Sequence, residues 1–256
     1  MSLGPSDVVA GRYELVRPLG GGDGACVFLA HDRHLAREVV LRVVEPGDPA
    51  AAARLRDEGR MMTSAQYDCL QAIPVLVDGE IPGGGAYVAS ELVEGIPLDE
   101  VVRLRAPLPV RQARRHALEL LDAGLAVRRR DAGRGDVVVA SALVTTDGHI
   151  RVTRFARAAG PGPSGGDPAV ATVAATLGDL LAGGAVPPDL RGLIDDAVAG
   201  RIASADVLRA RLATDAGDGA GETPVPTTPP VTRWPWIVVG IMLVLIVAVI
   251  VLIWAI

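Results

Sequence analysis

The stretch Gly133 to Ala158, GRGDVVVASALVTTDGHIRVTRFARA, decides the fold. Within it, Leu143 to Thr146 and His149 to Thr153 are short runs rich in Val, Thr and Ile, residue types that suit a pleated surface. Asp147-Gly148 joins them, a pair that tolerates the positive φ angles of a tight turn. The pattern predicts a hairpin. Its open ends hold Arg134-Gly135-Asp136 beside Arg154-Phe155-Ala156. Taken alone, such a hairpin also suits an ordinary α+β domain.

Upstream, Tyr13 to Leu19 and Ala25 to Ala30 read as two strands around Gly20-Gly21-Gly22-Asp23-Gly24. Glu38 to Val44 is an almost continuously apolar strand interrupted by Arg42, and Pro49 to Met62 reads as a helix carrying Glu58. Ile73 to Val77 and Ala86 to Glu91 are two more strands, separated by the turn residues Pro82-Gly83-Gly84-Gly85. The chain then turns helical. Pro97 to Arg103 is a short helix and Pro109 to Arg130 a long one, with Ala113, Ala117, Leu120, Leu121 and Leu125 recurring on one face. Its last residues, Arg128, Arg129 and Arg130, match the negative end of the helix dipole and read as a solvated terminus. After the hairpin come predicted helices over Ala169 to Ala182, Pro187 to Ala199 and Ser204 to Ala213, the last with Ser204 as N-cap.

From about Gly11 to Thr214 this series resembles the bacterial serine/threonine protein kinases. The resemblance implies an α+β, two-lobed fold: a β-rich lobe over 11–95 after a disordered 1–10, and a helical lobe over 96–214. Gly20, Gly22 and Val27 match the family's glycine-rich loop, with Ala25 at its third glycine. Such a loop lays backbone N–H groups over nucleotide phosphates, and Asp23 puts a negative charge there. A plain Gly-rich hairpin turn is the simpler reading of that segment. Arg42 stands at the phosphate-contacting Lys of V-A-I-K, and Glu58 at its helical Glu partner. Ser90 stands at the gatekeeper, and Glu91 and Val93 fall in the hinge whose backbone binds adenine.

The hairpin carries the departures from the family pattern. Asp136 falls on the catalytic-loop Asp of H-R-D-x-x-x-x-N, with Arg134 and Gly135 in place of its His and Arg and Val138 in place of a following Lys. Ser141 replaces the metal-binding Asn, and Arg154 replaces the Asp of D-F-G, whose carboxylate bridges magnesium to the phosphates. A guanidinium has no acceptor and cannot ligate a metal, although it can itself sit against phosphate. The resemblance therefore implies no metal site and leaves room for ATP without magnesium. The A-P-E signature and most of the activation segment are missing, since Gly160 to Pro168 leads almost directly into a helix.

The net charge is -5 with no basic block before the C-terminal region, which argues against nucleic-acid binding. Hydrophobic residues make up 50% and aromatic ones only 3%, so a core must be built from Ala, Val and Leu. Cys26 and Cys69 have no metal-ligand spacing and suit a reducing compartment. Residues 215–233, rich in Gly, Pro and Thr, read as a flexible linker. Residues 234–256 form an uncharged apolar run long enough to span a bilayer, with Trp234, Trp236 and Trp254 near its ends. The expectation is a single-pass, tail-anchored protein of the inner membrane with its N-terminal domain in the cytoplasm.

These features predict a membrane-anchored pseudokinase that binds a regulatory partner, such as an active kinase or a phosphothreonine-reading domain. Thr223 and Thr228, each followed by Pro, are candidate phosphosites for such a reader, unless the linker is an inert spacer. The alternative is a divergent serine/threonine kinase with residual activity through the retained Asp136. A third reading makes the span itself the functional part, associating through Gly240, Val244 and Ala248.

Overall fold

Along β4 (Arg37–Val44) the pleat sends Val39, Leu41 and Val43 to one face and Val40, Arg42 and Val44 to the other. The first set is buried with Tyr13, Leu15 and Phe28, while Val44 joins a second cluster with Ala51, Ala52 and Leu55 of α1 (Pro49–Ala65). Both faces of the strand are therefore covered, which explains its near-continuous apolar sequence. Arg42 is the polar interruption on the α1 side.

The computed structural model describes residues 3–130, 137–162 and 165–214. A six-stranded sheet runs in the order β1-β2-β3-β4-β6-β5, formed by β1 (Val8–Val9), β2 (Tyr13–Gly22), β3 (Ala25–Asp32), β4, β5 (Val75–Ile81) and β6 (Gly85–Glu91). Its neighbours pair antiparallel. Pairing of Val8 with Glu14 and Val9 with Tyr13 ties the chain start into the sheet, and Leu3 packs against the same core. The expected disorder of 1–10 is thus corrected for its described part, because Val9 has a buried site to fill.

Asp48 caps α1, its side chain accepting from the Ala51 N–H at 2.8 Å. The helix is shared by two cores. Its first turns pack on the sheet, whereas Met61, Met62 and Ala65 enter the larger core of the helical lobe.

That lobe contains β7 (Gly95–Pro97), α2 (Leu98–Arg105), α3 (Val110–Arg130), β8 (Val137–Thr145), β9 (Ile150–Arg157), α4 (Pro168–Leu181), α5 (Pro188–Val198) and α6 (Ala205–Thr214). Ala113, Ala117, Leu120, Leu121 and Leu125 of α3 are all buried, the face expected from their spacing. Ser204 accepts from the Val207 N–H at 3.4 Å, a weak version of the expected cap. The arginines closing α3 are not simply solvated. Arg128 pairs with Asp167, and Arg130 pairs with Asp68 while lying over the Tyr67 ring. Asp167 also accepts from Ala169 and Ala205, so one carboxylate joins the starts of α4 and α6 to the end of α3.

β7, β8 and β9 form a second, three-stranded sheet. Its hairpin is longer than the sequence predicts, because Val137 to Val139 pair with Arg157 to Phe155 and zip up segments expected to be loops. The turn closes with Gly148 at φ +80 and its N–H on the Thr145 carbonyl at 2.9 Å.

Among the described residues no helix is long and apolar enough to cross a membrane. The apolar run 234–256, the linker with Thr223 and Thr228, and the stretch containing Arg134, Gly135 and Asp136 lie outside them.

Candidate functional site: the cleft between the sheet and the helical lobe

A cleft of about 1190 Å³ lies between the two lobes. Gly20, Gly22, Val27 and Arg42 line it from the sheet, and Ser90, Glu91 and Val93 from the connection between lobes. Ser141 and Arg154 line it from the β8-β9 hairpin. The structure brings these predicted residues together, whereas Glu58 stands just behind them on α1.

The glycine-rich segment is a tightly closed hairpin. Gly20, Gly21 and Gly22 pair with Val27, Cys26 and Ala25, so β2 and β3 are joined by Asp23-Gly24 alone. Both turn residues have positive φ, +55 at Asp23 and +83 at Gly24, the combination a two-residue hairpin turn of this hand requires. Gly24 also rests on α1. A Cβ there would meet the Ala51 Cβ at 2.8 Å.

Four charged side chains alternate from α1 past the cleft wall to the β2-β3 tip: Glu58, Arg42, Arg154 and Asp23. Arg42 pairs with Glu58, as the kinase resemblance implies, and Arg154 pairs with Asp23 at the hairpin tip. Arg154 also stands 3.8 Å from the second oxygen of Glu58. Arg42 and Glu58 are largely buried, with side chains 17% and 12% exposed, whereas Asp23 is 63% exposed. Burial pulls the Arg42 guanidinium below its ordinary value and pushes the Glu58 carboxyl above its own, each countered by the charge of the other. The hydrogen bond and charge of Arg154 lower the Asp23 carboxyl.

Ser141 and Arg154 face each other in the β8-β9 register, beside irregularities in the ladder. This places the two replaced metal-binding positions side by side. Magnesium takes oxygen ligands in near-octahedral array, and a guanidinium supplies only N–H donors. The residues present do not fit a magnesium ion.

Sequence reasoning missed several contacts. The Asp23 to Arg154 pair spans 131 residues, and no local pattern signals it. Arg157 binds Asp57 of α1 at 2.9 Å, a second link between hairpin and helix. Thr172, Val173, Thr176 and Asp179 of α4 also line the cleft, which sequence reasoning did not foresee.

A small sheet with one helix, an interlobe cleft and a helical lobe entered by a short hairpin define a protein kinase-like fold. The crystal structure of the Mycobacterium tuberculosis PknI kinase domain matches it with a TM-score of 0.63 and 22% identity, covering 85% of this chain and 100% of that domain. PknA of Mycobacterium tuberculosis is 30% identical over 156 residues, which cover 57% of this chain and 35% of PknA. PrkC of Bacillus subtilis is 28% identical over 150 residues, covering 57% of this chain and 23% of PrkC. The sequence relatives of this kinase-like chain are thus bacterial serine/threonine protein kinases. The chain spans about a third or less of the length of these curated relatives. No family model matches it.

Proposed function

We propose that this chain is a pseudokinase, a kinase-like scaffold that binds a regulatory partner without transferring phosphoryl groups. One observation carries the reading: the Arg154 guanidinium, at the position that the kinase resemblance gives to a metal-holding carboxylate, is committed to the chain's own Asp23 and Glu58. Phosphoryl transfer depends on preorganised cations against the phosphates, and loss of one such group typically costs about 3 kcal/mol of barrier. Here the ammonium is replaced by an Arg42 held to Glu58, and neither Ser141 nor Arg154 supplies a carboxylate or amide to a metal. The zipped hairpin and the approach of α4 to the cleft also support binding in place of catalysis, since they replace flexible loops with paired backbone and packed helix.

Anchoring through residues 234–256, with the folded part in the cytoplasm, belongs to the same proposal and rests on the uncharged apolar run alone. Its partner would be a protein at that membrane surface, an active kinase or a reader of phosphothreonine at Thr223 or Thr228. Incubation of the 256-residue chain with radiolabelled ATP, magnesium and a generic acceptor protein tests the reading. No label above background is expected. Transfer that disappears in Asp136→Asn would overturn it in favour of a divergent serine/threonine kinase.

A further inference from the structure

The turn after α1 holds two large apolar side chains out to solvent. Leu70 is 89% exposed and Tyr67 68%, the highest values among the large hydrophobic residues described. The backbone that carries them is fixed at both ends. The Gln66 side chain accepts the Val75 N–H at 2.8 Å, Cys69 is buried in the helical-lobe core, and the Gln71 carbonyl accepts the Val152 N–H at 2.6 Å. A loop seated this firmly does not turn inward to cover Tyr67 and Leu70, so only an outside surface can bury them.

Cations stand around the pair. Arg130 lies 5.5 Å over the Tyr67 ring and is bonded to Asp68. Arg129 is exposed and makes no ion pair among the described residues. Its charge still reaches the loop, since the Asp68 carboxyl is held below its ordinary value by its bond to Arg130 and then by the charges of Arg130 and Arg129. Arg60, exposed two helical turns before Tyr67, is a third cation on this side. Asp122, whose charge also reaches Cys69, is taken by Arg209. Three guanidiniums against the single carboxylate of Asp68 make this face locally positive in a chain of net charge -5.

From these contacts we infer that the Tyr67 to Leu70 turn and the end of α3 form a surface that lies on an anionic lipid bilayer. The inference rests on the anchoring reading of residues 234–256, which brings a membrane within reach through residues 215–233. A tether of that length keeps the folded part at roughly millimolar effective concentration beside the lipid. That matters because two apolar side chains bind a bilayer only weakly by themselves. The composition suits this occupant. Tyr and Leu enter the headgroup boundary, and each guanidinium beside them meets lipid phosphate with a gain of about fivefold near an anionic surface. A second copy of this chain suits the patch less well, because a two-fold contact sets Arg129 and Arg130 against their own copies.

The test uses the 256-residue chain in lipid nanodiscs, with Cys26→Ser and a bimane label on Leu70→Cys or, as control, on Leu104→Cys. Leu104 is 61% exposed, on α2. Nitroxide-bearing lipids in anionic discs are expected to quench the Leu70 label at least about twofold more than the control. Arg129→Glu is expected to reduce that excess, and so is exchange of the anionic lipid for a zwitterionic one. Equal quenching at both positions would overturn the inference, as would an excess unchanged by either alteration. The lipid exchange leaves the chain untouched, so it decides the matter should a substitution disturb the loop. A Leu70 label that ignores lipid but responds to chain concentration would give the patch to a second copy, and one that responds to neither would give it to another protein. Both overturn the lipid assignment. Chain that washes off the discs in alkali sinks the anchoring reading and this inference with it, whereas anchored chain with an unquenched Leu70 label sinks the inference alone.

Discussion

Arg42 sits on the face of a strand that α1 covers and Glu58 on that helix, so both charges are largely withdrawn from water. Such a pair gains little over apolar residues of the same volume, but removing one partner strands the other in a dry place. Arg42→Met is therefore expected to cost about 3–5 kcal/mol in urea denaturation, and addition of Glu58→Leu to recover a large part of it. A loss below about 1 kcal/mol would mean that water reaches Glu58 in the folded chain. Residue chemistry was also the most legible part of the site. Arg42 and Glu58 could be paired before the structure only through the kinase resemblance, which matches them to a Lys and a helical Glu that the family pairs. Arg154 could be recognised as unable to hold a metal, since that follows from the side chain. Its actual partner could not, because the Asp23 contact depends on how far the β2-β3 tip folds over the cleft.

The hairpin β8-β9 shows the same division among elements. Its Val, Thr and Ile runs and the Asp147-Gly148 turn identify it locally, yet its length is set by a packing partner distant in sequence. Phe155 is fully buried in the helical-lobe core, and the backbone on both sides of it follows that anchor into paired strand. Glu119 of α3 fixes the other end. Its carboxylate accepts from the Ile150 N–H at 2.9 Å and meets the His149 Nδ1 at 2.6 Å, with the fully buried His116 at 3.6 Å. Burial alone would raise this carboxyl, but the nearby His116 ring and hydrogen bonds with His149 and the Ile150 N–H outweigh it and hold it below its ordinary value of 4.5. A group held below its unfolded value stabilises the fold at pH above that value, and the contribution is lost as pH falls through the folded one. Glu119→Ala leaves the Ile150 N–H without its acceptor and is expected to cost about 1–3 kcal/mol at pH 7. The difference from wild type should shrink as melting is followed below about pH 4.5 by circular dichroism. A difference that stays constant down to pH 3 would rule out the charged form as the source.

Across the whole molecule, α1 belongs to both cores and is bound from below by the hairpin through Arg154 and Arg157. Ion pairs of Arg154 with Asp23 and Glu58, and of Arg157 with Asp57, link the hairpin of the helical lobe to the sheet and α1. Period and turn signals made the individual strands and helices legible before any coordinates, and the two-lobed arrangement followed from the kinase resemblance that their order and motifs carry. The pairing of Val8 and Val9 was not, because a strand of two residues has no measurable period. The central claim is that Arg154 excludes a divalent ion from the cleft. Electron paramagnetic resonance of Mn²⁺, a magnesium substitute with the same preference for oxygen ligands, measures this directly when the 256-residue chain is titrated with and without ATP. The free Mn²⁺ signal is expected to fall only as far as ATP alone lowers it. Additional, stoichiometric loss of that signal on adding the protein, removed by Ser141→Ala, would contradict the claim.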